Sequence, residues 1–176
     1  QSMIVFNARE PVGSIFEHLW DVKLGRSRPQ HKLVDIICYC LNPNHFHLLL
    51  KQVGEHGIRE FMRRLGGYTY YFNLRYKRSG SLFQGTFHST HITSNEYLLH
   101  LSAYINLNYK VHRLGGETSK SSLEEYIGKT STGICNTRII LKQFRQAAEY
   151  RDFAESSLQD ILERKEQYRE MKGLLF

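Results

Sequence analysis

Residues 33–40, LVDIICYC, are apolar and rich in β-formers, Asn42-Pro43-Asn44 has turn chemistry, and residues 45–51, HFHLLLK, are apolar again. The pattern predicts a β-hairpin or two adjacent strands. Alternation places His45, His47 and Leu49 on one face of the second strand and Phe46, Leu48 and Leu50 on the other. From Gly57 the period lengthens. Ile58, Phe61, Met62, Leu65, Tyr68, Thr69, Phe72 and Tyr76 recur at helical spacing, with Arg59, Arg63, Arg64 and Lys77 largely off that stripe. A long amphipathic helix with a basic flank is predicted there. Ser79-Gly80 marks a turn, and residues 81–92, SLFQGTFHSTHI, alternate Leu82, Gln84, Thr86 and His88 against Phe83, Gly85 and Phe87, which predicts a further strand with a polar face.

Thr93-Ser94-Asn95-Glu96 matches a capping box, and the apolar run that follows predicts a helix from Tyr97 to about Val111, before Gly115-Gly116. Residues 115–133, rich in Gly, Ser, Thr and Lys, read as a loop around a short helical piece near SLEEYI. A helical pattern returns after Asn136, and from Phe153 through Ile161 and Leu162 to Met171 it is highly charged, with opposite charges spaced for i,i+4 pairs. Strand, strand, helix, strand, helix and then helices is the order of an α+β sandwich with a mostly antiparallel sheet. The divisions expected are a first domain over residues 1–114, a loop with a short helix over 115–136 and a C-terminal helical extension over 137–176.

Charge narrows the class of partner. With 24 Lys and Arg against 17 Asp and Glu, a formal net charge of +7 favours a polyanion, nucleic acid ahead of an anionic membrane surface. No apolar run approaches the roughly 18 residues of a membrane span, and no charged-then-apolar leader opens the chain, so a soluble intracellular protein is expected. Cys38, Cys40 and Cys135 are too few for a disulfide framework and lack C-x-x-C pairing. Buried reduced thiols are the expectation, with a metal role for Cys38 and Cys40, which share a strand face, as the alternative.

His45 and His47, at i and i+2 on a strand, can converge on one divalent ion, because neutral imidazole is a common ligand. They can equally be a hydrogen-bonded structural pair. A metal site also needs a third donor and open positions. Tyr104 and Asn108, one helical turn apart, could address such a site with a phenol and an amide oxygen; the alternative is a packing aromatic and a polar residue near a helix end.

The ordered set NPNHFHLLL, FMRRLGGYTYYFN, SGSLFQGTFHS and SNEYLLHLSAYINLN resembles the HUH single-tyrosine transposases of small bacterial insertion sequences, including the REP-associated tyrosine transposase branch, over about residues 33–113. That resemblance implies a ferredoxin-like sheet with helices packed on it, and cleavage of single-stranded, hairpin-bearing DNA in the bacterial cytoplasm, at the nucleoid. It places His45 and His47 on the family's HUH motif, which holds Mg²⁺ or Mn²⁺, Tyr104 on the nucleophile, and Asn108 on the position that completes the metal site. The residue types suit the chemistry. A phenol, with a free pKa of about 10, attacks a phosphodiester when a metal polarises a nonbridging oxygen. The product is a 5′-phosphotyrosine link, which another 3′-OH can reverse.

Three departures from the family pattern stand out. Its first-strand segment, Tyr-His followed by an Asn-Arg-Gly-like stretch, is not found in QSMIVFNAREPVG, so the first strand is expected to be truncated or diverged. Asn108 is followed by Tyr109 where relatives carry Pro, which predicts a helix running further. Thr86 stands where many relatives carry Arg or Lys, one DNA contact fewer. For the remaining contacts, cations tracking phosphates and aromatics stacking on bases are what a single strand needs. Arg59, Arg63, Arg64, Arg75, Lys77, Arg78, Gln84 and His88 are the candidates, with Tyr68, Tyr70 and Tyr71 for stacking or for the core. Family members act as homodimers or as monomers, and the sequence does not choose between them. Two rivals remain: a hydrolase using the H-x-H site, and a non-cleaving nucleic-acid-binding relative.

Overall fold

A computed structural model of the chain describes residues 6–7, 31–114 and 117–173, with side chains as far as Tyr168. The expectation for the first strand falls on residues outside that set, apart from Phe6 and Asn7. The hairpin forms as predicted, with β1 (Val34–Leu41) and β2 (Phe46–Gln52) each displaced by one residue. Its turn is closed by the Asn42 N–H donating to the His45 carbonyl at 2.9 Å. A short β3 (Lys120–Ser121) pairs antiparallel with β1, Cys40 opposite Ser121 and Leu41 opposite Lys120. The sheet order is β2-β1-β3, so β1 is central and its apolar run is buried along most of its length.

Residues 81–92 are not a strand. The alternation of Gln84, Thr86 and His88 is real, but Gly85 sits at φ 83°, in the left-handed region, and interrupts the extended run. Most of this segment stays exposed.

The chain divides into two compact units, residues 1–35 with 50–91, and residues 36–49 with 92–176. In the first, α1 (Gly57–Tyr76) occupies the predicted span and buries Phe61 completely. Gly57 starts it because a Cβ there would overlap the Leu33 carbonyl, the same oxygen that accepts from the N–H groups of Val53 and Gly54 at 3.0 Å. The helix ends at Lys77, whose left-handed backbone turns its N–H to the Asn73 and Leu74 carbonyls. Asn7 clasps the start of β1: its Nδ2 donates to the Val34 carbonyl at 2.8 Å and its Oδ1 accepts from the Val34 N–H at 2.9 Å.

In the second unit, Ile37, Cys38, Cys40 and Leu49 from the hairpin pack with Ile105 and Leu107 and with Tyr126 and Tyr150. The helices here are α2 (Asn95–Asn106), α3 (Asn108–Val111), α4 (Leu123–Tyr126), α5 (Arg138–Leu141) and α6 (Ala147–Gly173). Cys38 and Cys40 are buried free thiols and Cys135 is half-buried, with burial pushing Cys38 and Cys135 up. Buried hydroxyls find partners: Tyr126 Oη donates to the Ile37 carbonyl at 2.8 Å, and Tyr150 Oη accepts from Asn106 Nδ2 at 2.8 Å. The structure is α+β, an antiparallel sheet with helices packed on it and a long C-terminal helix. Among the described residues no helix is long and apolar enough to cross a membrane.

Two local details differ from expectation. The N-cap of α2 is Ser94, whose Oγ accepts from the Tyr97 N–H at 3.1 Å, one residue later than the Thr93 to Glu96 box. The helix also does not run unbroken to Val111. Leu107, at φ −106° and ψ 11°, separates α2 from α3. Ile105, Asn106, Leu107 and Asn108 are all buried in succession, which a straight helix lying on one surface cannot achieve.

Candidate metal and nucleophile site

The turn and the first residues of β2 deliver two imidazoles. His45 Nδ1 lies 2.7 Å from Asn44 Oδ1. A carboxamide oxygen only accepts, so the ring proton sits on Nδ1 and Nε2 presents its lone pair. That lone pair meets Asn42 Nδ2 at 2.9 Å and stands 3.0 Å from Asn108 Oδ1. Asn42 Nδ2 also donates to Asn108 Oδ1 at 2.8 Å, while Asn42 Oδ1 accepts from Ser119 Oγ at 2.9 Å and holds the amide in that orientation. Two acceptor atoms from distant parts of the chain therefore converge on the Asn42 amide nitrogen, the position a cation would take over.

Such an arrangement suits a cation. Adjacent ligands on an octahedral ion with bonds of about 2.1 Å lie about 3 Å apart, the separation His45 Nε2 and Asn108 Oδ1 already have. Asn108 is fully buried, and its Nδ2 has no hydrogen-bond partner among the described residues, so the side chain engages through its oxygen. His47 is half-buried, its ring centroid 5.3 Å from that of His45. Burial first, and then the neighbouring His45 and His112, hold the His47 pKa below its ordinary value and keep it in the neutral form that binds metal. Among the described residues no three His, Cys, Asp or Glu side chains form a closed cage. The candidate donors are two imidazoles and one amide oxygen.

Tyr104 is half-buried on α2, with its ring 5.7 Å from that of His47 at an interplanar angle of 71°. Because the helix breaks at Leu107, Tyr104 meets His47 while Asn108 meets His45. All four site residues chosen from the sequence, His45, His47, Tyr104 and Asn108, come together within one unit.

Sequence reasoning missed three residues here. His112 packs its ring 4.7 Å from that of His45, and burial, then Lys165 and His45, hold its pKa down. It follows Asn108 by four residues and Tyr104 by eight, a helical spacing that could have flagged it. Asn42 shows only turn chemistry in the sequence. Lys165 carried no local signal at all.

The DNA-contact candidates belong to the other unit. Arg59 and Arg75 are exposed on α1. Arg63 and Arg64 both bond to Glu60 at 2.7 Å, and the two guanidiniums hold its carboxyl down at about 2. Lys77 is exposed at the helix end, and Arg78 donates to Asn73 Oδ1 at 3.3 Å and lies 5.9 Å over the Phe72 ring. Gln84 and His88 are exposed, on irregular chain instead of a strand face. Of the tyrosines, Tyr68 packs on Phe6, Tyr71 and Phe72, whereas Tyr70 is 73% exposed.

Residues 22–108 match the family model described as IS200-like transposases. The matched stretch contains His45, His47, Tyr104 and Asn108 and stops short of His112 and Lys165. No curated protein and no solved structure matches the chain.

Proposed function

The chain belongs to the IS200-like transposases through residues 22–108, and from that premise we propose that it cleaves and rejoins single-stranded, hairpin-bearing DNA by a metal-dependent single-tyrosine mechanism. The observation that carries this reading is the meeting of His45 Nε2 with Asn108 Oδ1 at 3.0 Å, beside a His47 whose ring packs against Tyr104. Mg²⁺ or Mn²⁺ bound there would polarise a nonbridging phosphate oxygen and offset the charge that develops in the transition state. His45, His47 and Asn108 would hold it, with the remaining positions left for water and DNA oxygen.

Tyr104 supplies the nucleophile. Its Oη forms a bond to the scissile phosphorus as the bond to the 3′-oxygen breaks; the phenolic proton is balanced by protonation of that oxygen, leaving a 3′-OH. The 5′-phosphate stays on Tyr104, and attack by a second 3′-OH reverses the step, so strands rejoin without ATP. Asn44 fixes the His45 tautomer and Asn42 fixes the Asn108 amide, the supporting role that partners of metal ligands usually take. The exposed cations of α1 supply phosphate contacts and Tyr70 a stacking face.

The test incubates wild type and Tyr104→Phe with a pool of labelled single-stranded hairpin DNAs, in Mn²⁺ or in EDTA. An SDS-resistant adduct that requires both metal and Tyr104 supports the mechanism. Binding without an adduct would leave a non-cleaving relative, and cleavage surviving Tyr104→Phe would mean a hydrolase built on the histidines.

A further inference from the structure

One cation reaches the rim of the histidine cluster from α6, outside the stretch that matches the transposase family. Lys165 donates through Nζ to the Val111 carbonyl at 3.4 Å. Val111 closes α3, and its carbonyl belongs to the acceptors that a helix end leaves open. The next residue is His112, whose ring packs 4.7 Å from that of His45. Lys165 is thus held one residue away from a side chain in direct contact with a candidate metal ligand, and its charge is felt at His112.

Two features argue that the ammonium does more than tie α6 to α3. The bond is long for a charged donor, whose contacts usually run about 2.7–2.9 Å, and it uses one of three donors on a residue that remains exposed. A positive charge beside a site built for a divalent cation is also repulsive by itself. It becomes favourable once an anion lies between the two, and the anion this site receives is a DNA phosphate.

We propose that Lys165 binds a phosphodiester oxygen flanking the scissile phosphate, so that the C-terminal helix contributes a DNA contact to the active centre. The proposal rests on the transposase reading for the identity of its ligand, but its test does not depend on cleavage. In the full chain carrying Tyr104→Phe, binding of a fluorescent single-stranded hairpin oligonucleotide is titrated by anisotropy at several salt concentrations. Lys165→Gln, Lys165→Arg and, as a control on the same exposed turn, Arg164→Gln are compared, each with its thermal midpoint.

Lys165→Gln is expected to weaken binding about three- to tenfold and to reduce the slope of log K against log salt by about 0.7, the share of one phosphate on a single strand. Lys165→Arg should restore most of the affinity, because it keeps the charge, and Arg164→Gln should lose much less. An unchanged slope in Lys165→Gln would overturn the proposal. So would a lowered midpoint with unchanged affinity, which is the signature of a purely structural tie, and so would an equal loss in Arg164→Gln, the signature of diffuse surface charge. If the nucleophile were another residue, the adduct would persist in Tyr104→Phe while this salt dependence stood.

Discussion

In the unit that carries His45, His47, Tyr104 and Asn108, polar side chains are sheltered and bonded to one another across long stretches of sequence, from Asn42 to Asn108 and from Asn42 to Ser119. In the unit that carries α1, the basic side chains stand in solvent or bond to a carboxylate one turn away, as Arg63 and Arg64 do with Glu60. The contrast matches the different tasks that the proposed function gives the two regions. Transferring a phosphoryl group needs donor atoms held within a few tenths of an ångström, so their positions are fixed by a hairpin, a helix break and a chain of amides. Gripping a flexible polyanion needs charge at the surface, where exact placement matters little.

Substitutions should therefore have unequal effects in the two units. The largest loss is expected from His45→Ala or His47→Ala, each lowering adduct formation at least about a hundredfold, more than removal of a supporting partner usually costs. Manganese binding followed by electron paramagnetic resonance should weaken in parallel; retained metal affinity would break the link between these histidines and the ion.

Next comes Asn42→Ala. It leaves every proposed ligand in place but frees the Asn108 amide, a loss expected to outweigh removal of the N–H that occupies His45 Nε2, and metal affinity should drop about 10- to 100-fold. An unaltered affinity would reduce Asn42 to a turn residue.

On α1 the effects are smaller and graded. Arg75→Ala should reduce the salt slope of single-strand binding by about 0.7, whereas Arg63→Ala should change it less, because Glu60 already engages that guanidinium. Equal slopes would show that the Glu60 pairing does not persist when DNA is bound.

The smallest effect is that of Glu60→Gln. Arg63 and Arg64 lower the Glu60 carboxyl to about 2 in the folded chain, below the ordinary glutamate value. A depressed folded value means stability that is present above the unfolded pKa, about 4.3, and lost as pH falls toward 2. Glu60→Gln should flatten the dependence of unfolding free energy on pH over that acidic range, and loss of the carboxylate beside Arg63 should raise single-strand affinity slightly. Arg63 stands in solvent, and screening there keeps its share of the stability change modest.

What could be read from the sequence divides along the same line. The hairpin and α1 were legible because burial imposes periods of two and 3.6 residues, and Leu49 and Phe61 mark those faces. His45, His47, Tyr104 and Asn108 could be chosen as a set through the family resemblance, whose motifs keep their linear order, whereas spacing alone left a structural alternative for each pair. β3 was not, since Lys120 and Ser121 are too few and too polar to carry a period. The expected strand at residues 81–92 showed correct alternation, but a single left-handed glycine outweighed it. The break at Leu107 arises from burial of four consecutive residues, a tertiary requirement that helix periodicity conceals. His112 and Lys165 are neighbours of the site only because α3 and α6 fold back onto it.

The most direct test of the central claim is to digest the covalent protein–DNA complex with nuclease and protease and to locate the remaining nucleotide by tandem mass spectrometry. A 5′-phosphonucleotide on Tyr104, absent when metal is chelated, is the predicted result; the same mass on Tyr109 or on any other residue would contradict the mechanism.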